Sequence, residues 1–195
     1  MSLRIIGLDL SLTATGIAVT HDQLGTPWPA CRTISPRRRP SPNIIDHQRL
    51  HETFQAVAAS LACKPDLVVI EFLPHVTGTG GVPLRLAELH GALKHYMWSH
   101  GHRYVDVEPQ HLKTWATGNG NAKKELVRQE ITARYGGRLH IGSTDEADAV
   151  AAMTLGLAAY GQPLADRDGV EIPVPAKNRA AVGKVGWPEL KAVTL

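Results

Sequence analysis

The hydrophobic pattern changes period several times along the first two-thirds of the chain. Arg4-Ile5-Ile6-Gly7-Leu8-Asp9-Leu10 is a short, nearly continuous apolar run, the pattern of a strand buried on both faces. Gly16-Ile17-Ala18-Val19-Thr20 follows across the polar turn Ser11 to Thr15, which predicts its hairpin partner. A weaker strand is expected near 30–34. Pro36 to Pro42, enclosing Arg37, Arg38 and Arg39, cannot sit inside a regular element and reads as a basic loop. Leu50, Phe54, Val57, Ala58 and Leu61 fall at i, i+4, i+7, i+8 and i+11, the apolar face of a helix that Pro65 ends.

Leu67 to Ile70 is a β-branched run, the pattern of a central buried strand. Gly78 to Gly81 then predict a flexible loop before a helix over 83–99, followed by a strand over Tyr104 to Val107. Two further helices are expected over Lys123 to Tyr135 and Asp145 to Tyr160. The order β-β-β-α-β-α-β-α-α predicts an α/β fold, a mixed five-stranded sheet flanked by helices. Residues 1–162 read as one domain. Residues 163–195, rich in Pro, Gly and Lys/Arg, read as a basic tail or arm. There is no internal repeat.

Composition narrows the class. With 195 residues and 43% hydrophobic content, the chain can bury a real core, which excludes wholesale disorder. No apolar run approaches the roughly 20 residues that cross a bilayer, so no membrane association is expected. The N-terminal residues enter the first strand with no secretory h-region or cleavage site. Two cysteines, Cys31 and Cys63, make neither a disulfide framework nor a CxxC knuckle. Together these predict a cytoplasmic protein. Twenty-one Lys+Arg against 18 Asp+Glu give a net charge of +3, compatible with a polyanionic partner but shared by many soluble enzymes.

The informative chemistry lies in four carboxylates on separate elements. Asp9 ends the opening strand among Ile5, Ile6, Leu8 and Leu10, where an ionised group is costly unless it is paired or metal-bound. Its bland reading is a turn cap with Ser11 and Thr13. Glu71 directly follows the Leu67–Ile70 strand, at the end where open α/β sheets place ligands; its bland reading is a strand end turning to solvent. Asp145 and Asp148 stand three residues apart on one helix face. Ser143 to Glu146 forms a capping box, with Ser143 as N-cap and Glu146 reaching back to it. That accounts for Glu146 and offers a structural role for Asp145, but leaves Asp148 on a helix built for burial. Two unit charges 4 Å apart repel by about 4 kcal/mol at an effective dielectric of 20, so four converging acids need cations. An all-oxygen site suits Mg²⁺ or Mn²⁺ rather than zinc. Two such ions roughly 3.5–4 Å apart serve phosphodiester hydrolysis.

With those residues in place, the sequence resembles the RuvC-type Holliday-junction resolvases of the ribonuclease H-like nuclease superfamily. Gly7-Leu8-Asp9-Leu10-Ser11 with Thr15-Gly16-Ile17-Ala18-Val19 is similar to the family's opening hairpin. Pro65-Asp66-Leu67-Val68-Val69-Ile70-Glu71 is similar to its second acidic strand. Pro109 to Lys113 and Thr117-Gly118-Asn119-Gly120-Asn121-Ala122-Lys123-Lys124-Glu125-Leu126-Val127 resemble its Thr-Gly-x-Gly stretch, and Asp145-Glu146-Ala147-Asp148-Ala149-Val150-Ala151 its late acidic helix. The matches run in the family order over residues 4 to 160.

The resemblance implies a ribonuclease H-like fold and a structure-selective DNA endonuclease that nicks four-way junctions in symmetric pairs. It implies Asp9, Glu71, Asp145 and Asp148 as ligands of Mg²⁺ or Mn²⁺, with two ions per site. Lys113 and Lys124, with Lys123 beside it, would touch DNA near the scissile bond. Phe72 would be the aromatic that wedges into the junction, and Arg37, Arg38 and Arg39 phosphate contacts. The partners implied are branched DNA and a second copy of the chain, paired through the helix over 83–99. A branch-migration helicase partner is not identifiable from the sequence.

The chain departs from the family pattern at Leu10-Ser11, where relatives carry Pro-Gly, and in the loop Phe72-Leu73-Pro74-His75-Val76. Residues 173–195 hold Lys177, Arg179, Lys184 and Lys191 against Glu189 alone, the composition of a DNA-binding arm. The ten histidines have no zinc-like spacing; His75 and His140 are candidates only for orienting water or protonating a leaving group. Gly78 to Gly81 forms no phosphate-binding motif. Two alternatives remain at this point: a nuclease of forks and flaps, or a ribonuclease H-like protein that binds DNA without cutting. A third, an actin-like or sugar-kinase-like ATPase domain, rests on the Gly7 to Gly16 segment alone and needs two such domains.

Overall fold

The computed structural model of the chain describes residues 2–36, 47–73 and 84–190. Five strands form one sheet: β1 (Ile5–Asp9), β2 (Thr15–His21), β3 (Pro27–Ile34), β4 (Leu67–Glu71) and β5 (Tyr104–Val107), in the order β3-β2-β1-β4-β5. β1, β2 and β3 are an antiparallel meander, whereas β4 and β5 run parallel to β1. The mixed five-stranded sheet expected from the pattern is therefore present. β1 and β4 lie at its centre, and their side chains from Ile5 through Asp9 and from Leu67 through Ile70 are all buried.

Helices cover both faces. On one side α1 (His47–Ser60) and α2 (Leu84–Ser99) close over Ile6, Leu8, Ile17, Val68 and Ile70. On the other side α3 (Pro109–Thr117), α4 (Lys124–Tyr135) and α5 (Thr144–Ala159) close over Ile5, Ala18, Leu67 and Val69. This alternation is what a two-sided central strand requires: successive residues feed opposite cores. The loop predictions at Arg37 to Arg39 and at Gly78 to Gly81 lie outside the described residues.

The structure departs from the periodicity in two places. β3 begins at Pro27, earlier than the expected 30–34, because Pro27 and Pro29 are tolerated on an edge strand. Pro109 to Thr117 is a helix where no element was expected. Pro109 is its N1 residue, and Gly118 at φ 79° closes it by donating its N–H to Thr114 O at 2.7 Å. Nine residues bounded by proline and glycine carry too little apolar period to stand out.

α5 packs unusually close to the sheet. Along it, Ala147, Ala149, Ala151, Ala152 and Gly156 are buried. A Cβ on Gly7 would lie 2.1 Å from Ala149 O, and one on Gly16 1.9 Å from Asp145 O. Glycines on β1 and β2 thus let the helix that carries Asp145 and Asp148 descend onto the strand that carries Asp9.

Residues 163–190 fold back on this face. Val174 and Ala181 join the core, and the buried Asn178 donates from Nδ2 to Trp115 O at 2.8 Å. α6 (Ala176–Arg179) therefore caps the C-terminal end of α3, where Arg134 also donates to Ala116 O at 2.9 Å. Tyr160 Oη donates to Pro188 O at 2.7 Å.

Candidate metal centre

Parallel pairing places Leu8 opposite Ile70, so Asp9 and Glu71 leave the sheet side by side at its C-terminal edge. α5 approaches the same edge with its first turns. One carboxylate oxygen each from Asp9, Glu71 and Asp148 lie within 4.8 Å of one another. Asp145 stands one turn earlier, outside that set, and its charge acts on Asp9 and Asp148. Three of the four expected acids are brought together and the fourth is their neighbour.

The bland readings of Asp9 and Glu71 do not describe the structure, whereas Asp145 does stand in the first turn of α5. The Ser11–Thr15 turn is closed by its own hydroxyls: Ser11 N–H donates to Thr15 Oγ1 at 3.0 Å and Thr13 N–H to Ser11 Oγ at 3.1 Å. Asp9 is 9% exposed, and its Oδ2 has no hydrogen-bond partner among the described residues. Asp148 is 7% exposed. Ser143 does cap α5, accepting the Glu146 N–H at 3.0 Å. Glu146 itself reaches one residue further than a capping box requires, accepting the Gly142 N–H at 2.6 Å.

The electrostatic cost is visible in the acidities. Burial, and then the Asp148 charge, push the Asp9 carboxyl up to about 7. Burial, and then Asp9 and Asp148, push Glu71 up to about 8. Burial also raises Asp148, against the opposing pull of Lys124. Lys124 Nζ sits 3.3 Å from Asp148 Oδ2. Burial by itself would lower the Lys124 pKa, but Asp9, Asp148 and Glu71 together raise it. Lys113, on α3, lowers Glu71 and Asp148 as a second cation. Of the three lysines named from the sequence, Lys113 and Lys124 therefore act on the acids, while Lys123 is the exposed N-cap residue of α4.

A buried orphan carboxylate oxygen, three convergent oxygen donors and strongly raised acidities are the signature of a site short of positive charge. A hard divalent cation fits this all-oxygen donor set, and zinc-type His or Cys ligands are missing from it.

Other candidates fall elsewhere. Phe72 N–H donates to Val107 O at 2.8 Å, extending the β4–β5 ladder, and its ring lies 5.4 Å from Lys94 Nζ. Lys94 in turn pairs with Asp106 at 2.8 Å. The Phe72 ring is thus held against α2 and β5. His140 is exposed beside β3, its carbonyl facing Cys31 Sγ at 3.0 Å. His75 and Arg37 to Arg39 lie outside the described residues. Cys31 and Cys63 are free, and burial and then Glu146 push the Cys31 thiol up to about 12, so it is inert at neutral pH. Sequence reasoning missed Asn178, whose only signal was an amide in an otherwise basic, proline-rich tail.

No protein-family model matches the chain, and no curated protein matches it in sequence. Solved structures do match. The structure of Thermus thermophilus RuvC is 21% identical, with a TM-score of 0.58, covering 83% of this chain and 100% of that one. T. thermophilus RuvC in complex with a Holliday junction substrate is 18% identical, with a TM-score of 0.60, covering 83% of this chain and 99% of that one. A Fowlpox virus resolvase bound to Holliday junction DNA is 12% identical, with a TM-score of 0.38. The chain therefore has the ribonuclease H-like fold of the RuvC structures, with a centre of three buried acids at the sheet edge.

Proposed function

We propose that this chain is a metal-dependent endonuclease of branched DNA, acting on four-way junctions as a homodimer that makes paired symmetric nicks. The observation that carries the reading is the convergence of Asp9, Glu71 and Asp148 within 4.8 Å, in the fold of a junction resolvase. Asp9, Glu71 and Asp148 would hold Mg²⁺ or Mn²⁺, and Asp145 would complete a site for two ions. When bound, the ions supply an acidified water and charge neutralisation for the scissile phosphate.

The protein's own residues have distinct tasks. Asp9 and Asp148, carried on β1 and α5, fix the donor geometry, because the glycines between them let the helix seat directly on the sheet. Lys124 partly neutralises the acids before an ion binds and leaves a cation beside the phosphate that arrives with it. Lys113 adds a second positive charge from α3, and Lys123, exposed at the same helix start as Lys124, would meet the neighbouring phosphate. The basic tail residues and Arg37 to Arg39 extend the same electrostatic attraction. Phe72 would act from its fixed place against Lys94 by shaping the floor beneath the branch rather than by swinging into it.

The test is product mapping on a mobile four-way junction in Mg²⁺ and in Mn²⁺, beside forks, flaps and linear duplex. Paired nicks at symmetric positions, lost on chelation, are the expected result. Cutting of flaps or forks with junctions left intact would move the substrate class, and metal-independent cutting would remove the site.

A further inference from the structure

Away from the acid centre, a groove of about 700 Å³ runs along the free edge of β3, with Trp28, Arg32, Arg138, His140, Glu146 and Arg167 in its walls. Residues 138–143 lie beside the strand: Cys31 Sγ is 3.0 Å from His140 O, and Thr33 Oγ1 is 2.7 Å from Ser143 Oγ. Two arginines, Arg138 and Arg167, share the groove with a single acid. That acid, Glu146, already accepts hydrogen bonds from the Gly142 N–H at 2.6 Å and from Thr33 Oγ1 at 3.2 Å. Arg32, in register with Ile17, turns to the α1 face of the sheet, where it reaches Ala56 O at 3.4 Å, and the Arg138 and Arg167 side chains have no ion pair or hydrogen bond among the described residues. Asp166 and Asp168 flank Arg167 in sequence, and Asp166 Oδ1 is taken up by the N–H groups of Asp168 and Val170 at 2.9 Å. Arg138 and Arg167 are thus two guanidinium groups without an ion pair among the described residues, next to an indole, Trp28, that is 66% exposed.

Its position ties it to the acids. Thr33 pairs with Gly16, which pairs with Asp9, so the upper end of the groove lies two strands, about 10 Å, from the centre. From Thr33 down to Trp28 the strand runs about 17 Å. At one charge per about 3.4 Å of a duplex strand, that length spans about five nucleotides.

We infer that this groove is a second DNA contact, holding the phosphate backbone of a strand that leaves the acid centre, with Trp28 offering its face to an unpaired base at the branch. The phosphates of an anionic polymer match two arginines that have no ion pair, and aromatic faces interleaved with cations suit nucleic acid. A peptide strand added to the sheet fits less well. Pro27 and Pro29 remove N–H donors from the free edge of β3, which blunts it as a template for pairing. The inference rests on the nuclease reading above and goes beyond it, since it assigns a contact surface away from the acids and their flanking lysines.

The experiment is a titration of fluorescently labelled four-way junction against the full chain, without divalent ions, over a series of salt concentrations. Wild type is compared with an Arg138→Gln/Arg167→Gln variant and with Trp28→Ala; glutamine keeps most of the arginine stem packing. The double variant should bind more weakly, with the log K against log salt slope reduced by about 1.8, or about 0.9 for each phosphate that is no longer neutralised. Its cutting in Mg²⁺ at limiting enzyme should fall in step with the weaker binding. Trp28→Ala should weaken binding without changing the slope. An unchanged slope and affinity in the double variant, with wild type binding normally, overturns the inference and leaves the nuclease reading intact. Failure of wild type to bind any DNA overturns both. Retention of a polyglutamate peptide by wild type but not by the double variant, with DNA affinity unchanged, would assign the groove to an acidic protein and also overturn the inference.

Discussion

Lys124 Nζ lies 3.3 Å from Asp148 Oδ2, joining the first turn of α4 to the first turns of α5. The lysine is the counter-charge in direct contact with a centre whose acids burial pushes toward neutrality. Replacing it with methionine keeps much of the stem and removes the charge. Asp148 and Asp9 should then hold their protons to higher pH, and a cation, which needs them ionised, should bind less well. The expected result for Lys124→Met is a cutting rate about tenfold lower at pH 7, recovering at alkaline pH, since each pH unit of displacement is tenfold in the ionised fraction. Lys124→Arg should restore most of the activity. Single-turnover rates between pH 6 and 9 check this, and an unshifted profile would leave Lys124 as a surface cation only.

The same acidities set a stability profile for the ion-free protein. Asp9 and Glu71 sit at about 7 and about 8 when folded, above their ordinary values of 3.8 and 4.5. The folded state then binds more protons than the unfolded state between those limits, so stability falls as pH rises from about 4 to about 8 and levels off above. Divalent cations bind the ionised acids and should reverse the trend. Melting curves in chelator should show the midpoint dropping across that window, by roughly 2–4 °C for each kcal/mol lost. Adding Mg²⁺ should raise the midpoint most at the alkaline end.

Removing a charge from the centre should stabilise the fold while abolishing its chemistry. Asp9→Asn deletes a buried charge whose Oδ2 has no partner among the described residues. The expected outcome is a higher melting temperature in chelator, together with cutting reduced by at least about 100-fold and junction binding retained. Asp145→Asn should behave differently, because Asp145 stands outside the closest set. It should raise the Mg²⁺ concentration needed for half-maximal cutting, and high Mg²⁺ or Mn²⁺ should recover part of the rate. Equal and irrecoverable losses in both variants would put Asp145 on the same footing as Asp9.

How much of this was legible in the sequence follows from what each residue depends on. β1 and β4 were legible because a strand buried on both faces leaves an uninterrupted apolar run, and the acids at their ends stood out against it. Asp148 was legible because a charge on an alanine-rich helix needs an explanation. The convergence of three acids and the exclusion of Asp145 from the closest set were not, since both depend on how deeply α5 settles on the sheet. α3 was hidden by its shortness. The groove beside β3 was hidden because Trp28, Arg138 and Arg167 come from segments far apart in the chain. Asn178 was hidden for the same reason: its partner is a carbonyl 63 residues away.

The depth of α5 is itself testable through Gly16. A Cβ at this position would lie 1.9 Å from Asp145 O and 3.2 Å from the Ala149 side chain, and backbone cannot yield as a flexible side chain does. Gly16→Ala must therefore lift the first turns of α5 from β2, at an overpacking cost of about 1–3 kcal/mol. The displaced turns carry Asp145 and Asp148, whereas Asp9 and Glu71 stay with the sheet. The variant should lose stability and cutting together, and its Mg²⁺ requirement should rise because the donors no longer converge. Gly137→Ala is the matched control in the turn after α4, where an added Cβ meets nothing within 4 Å. It should leave denaturation midpoint and metal dependence at wild-type values, so urea unfolding and Mg²⁺ titration of the two variants separate a displaced helix from a general sensitivity to alanine.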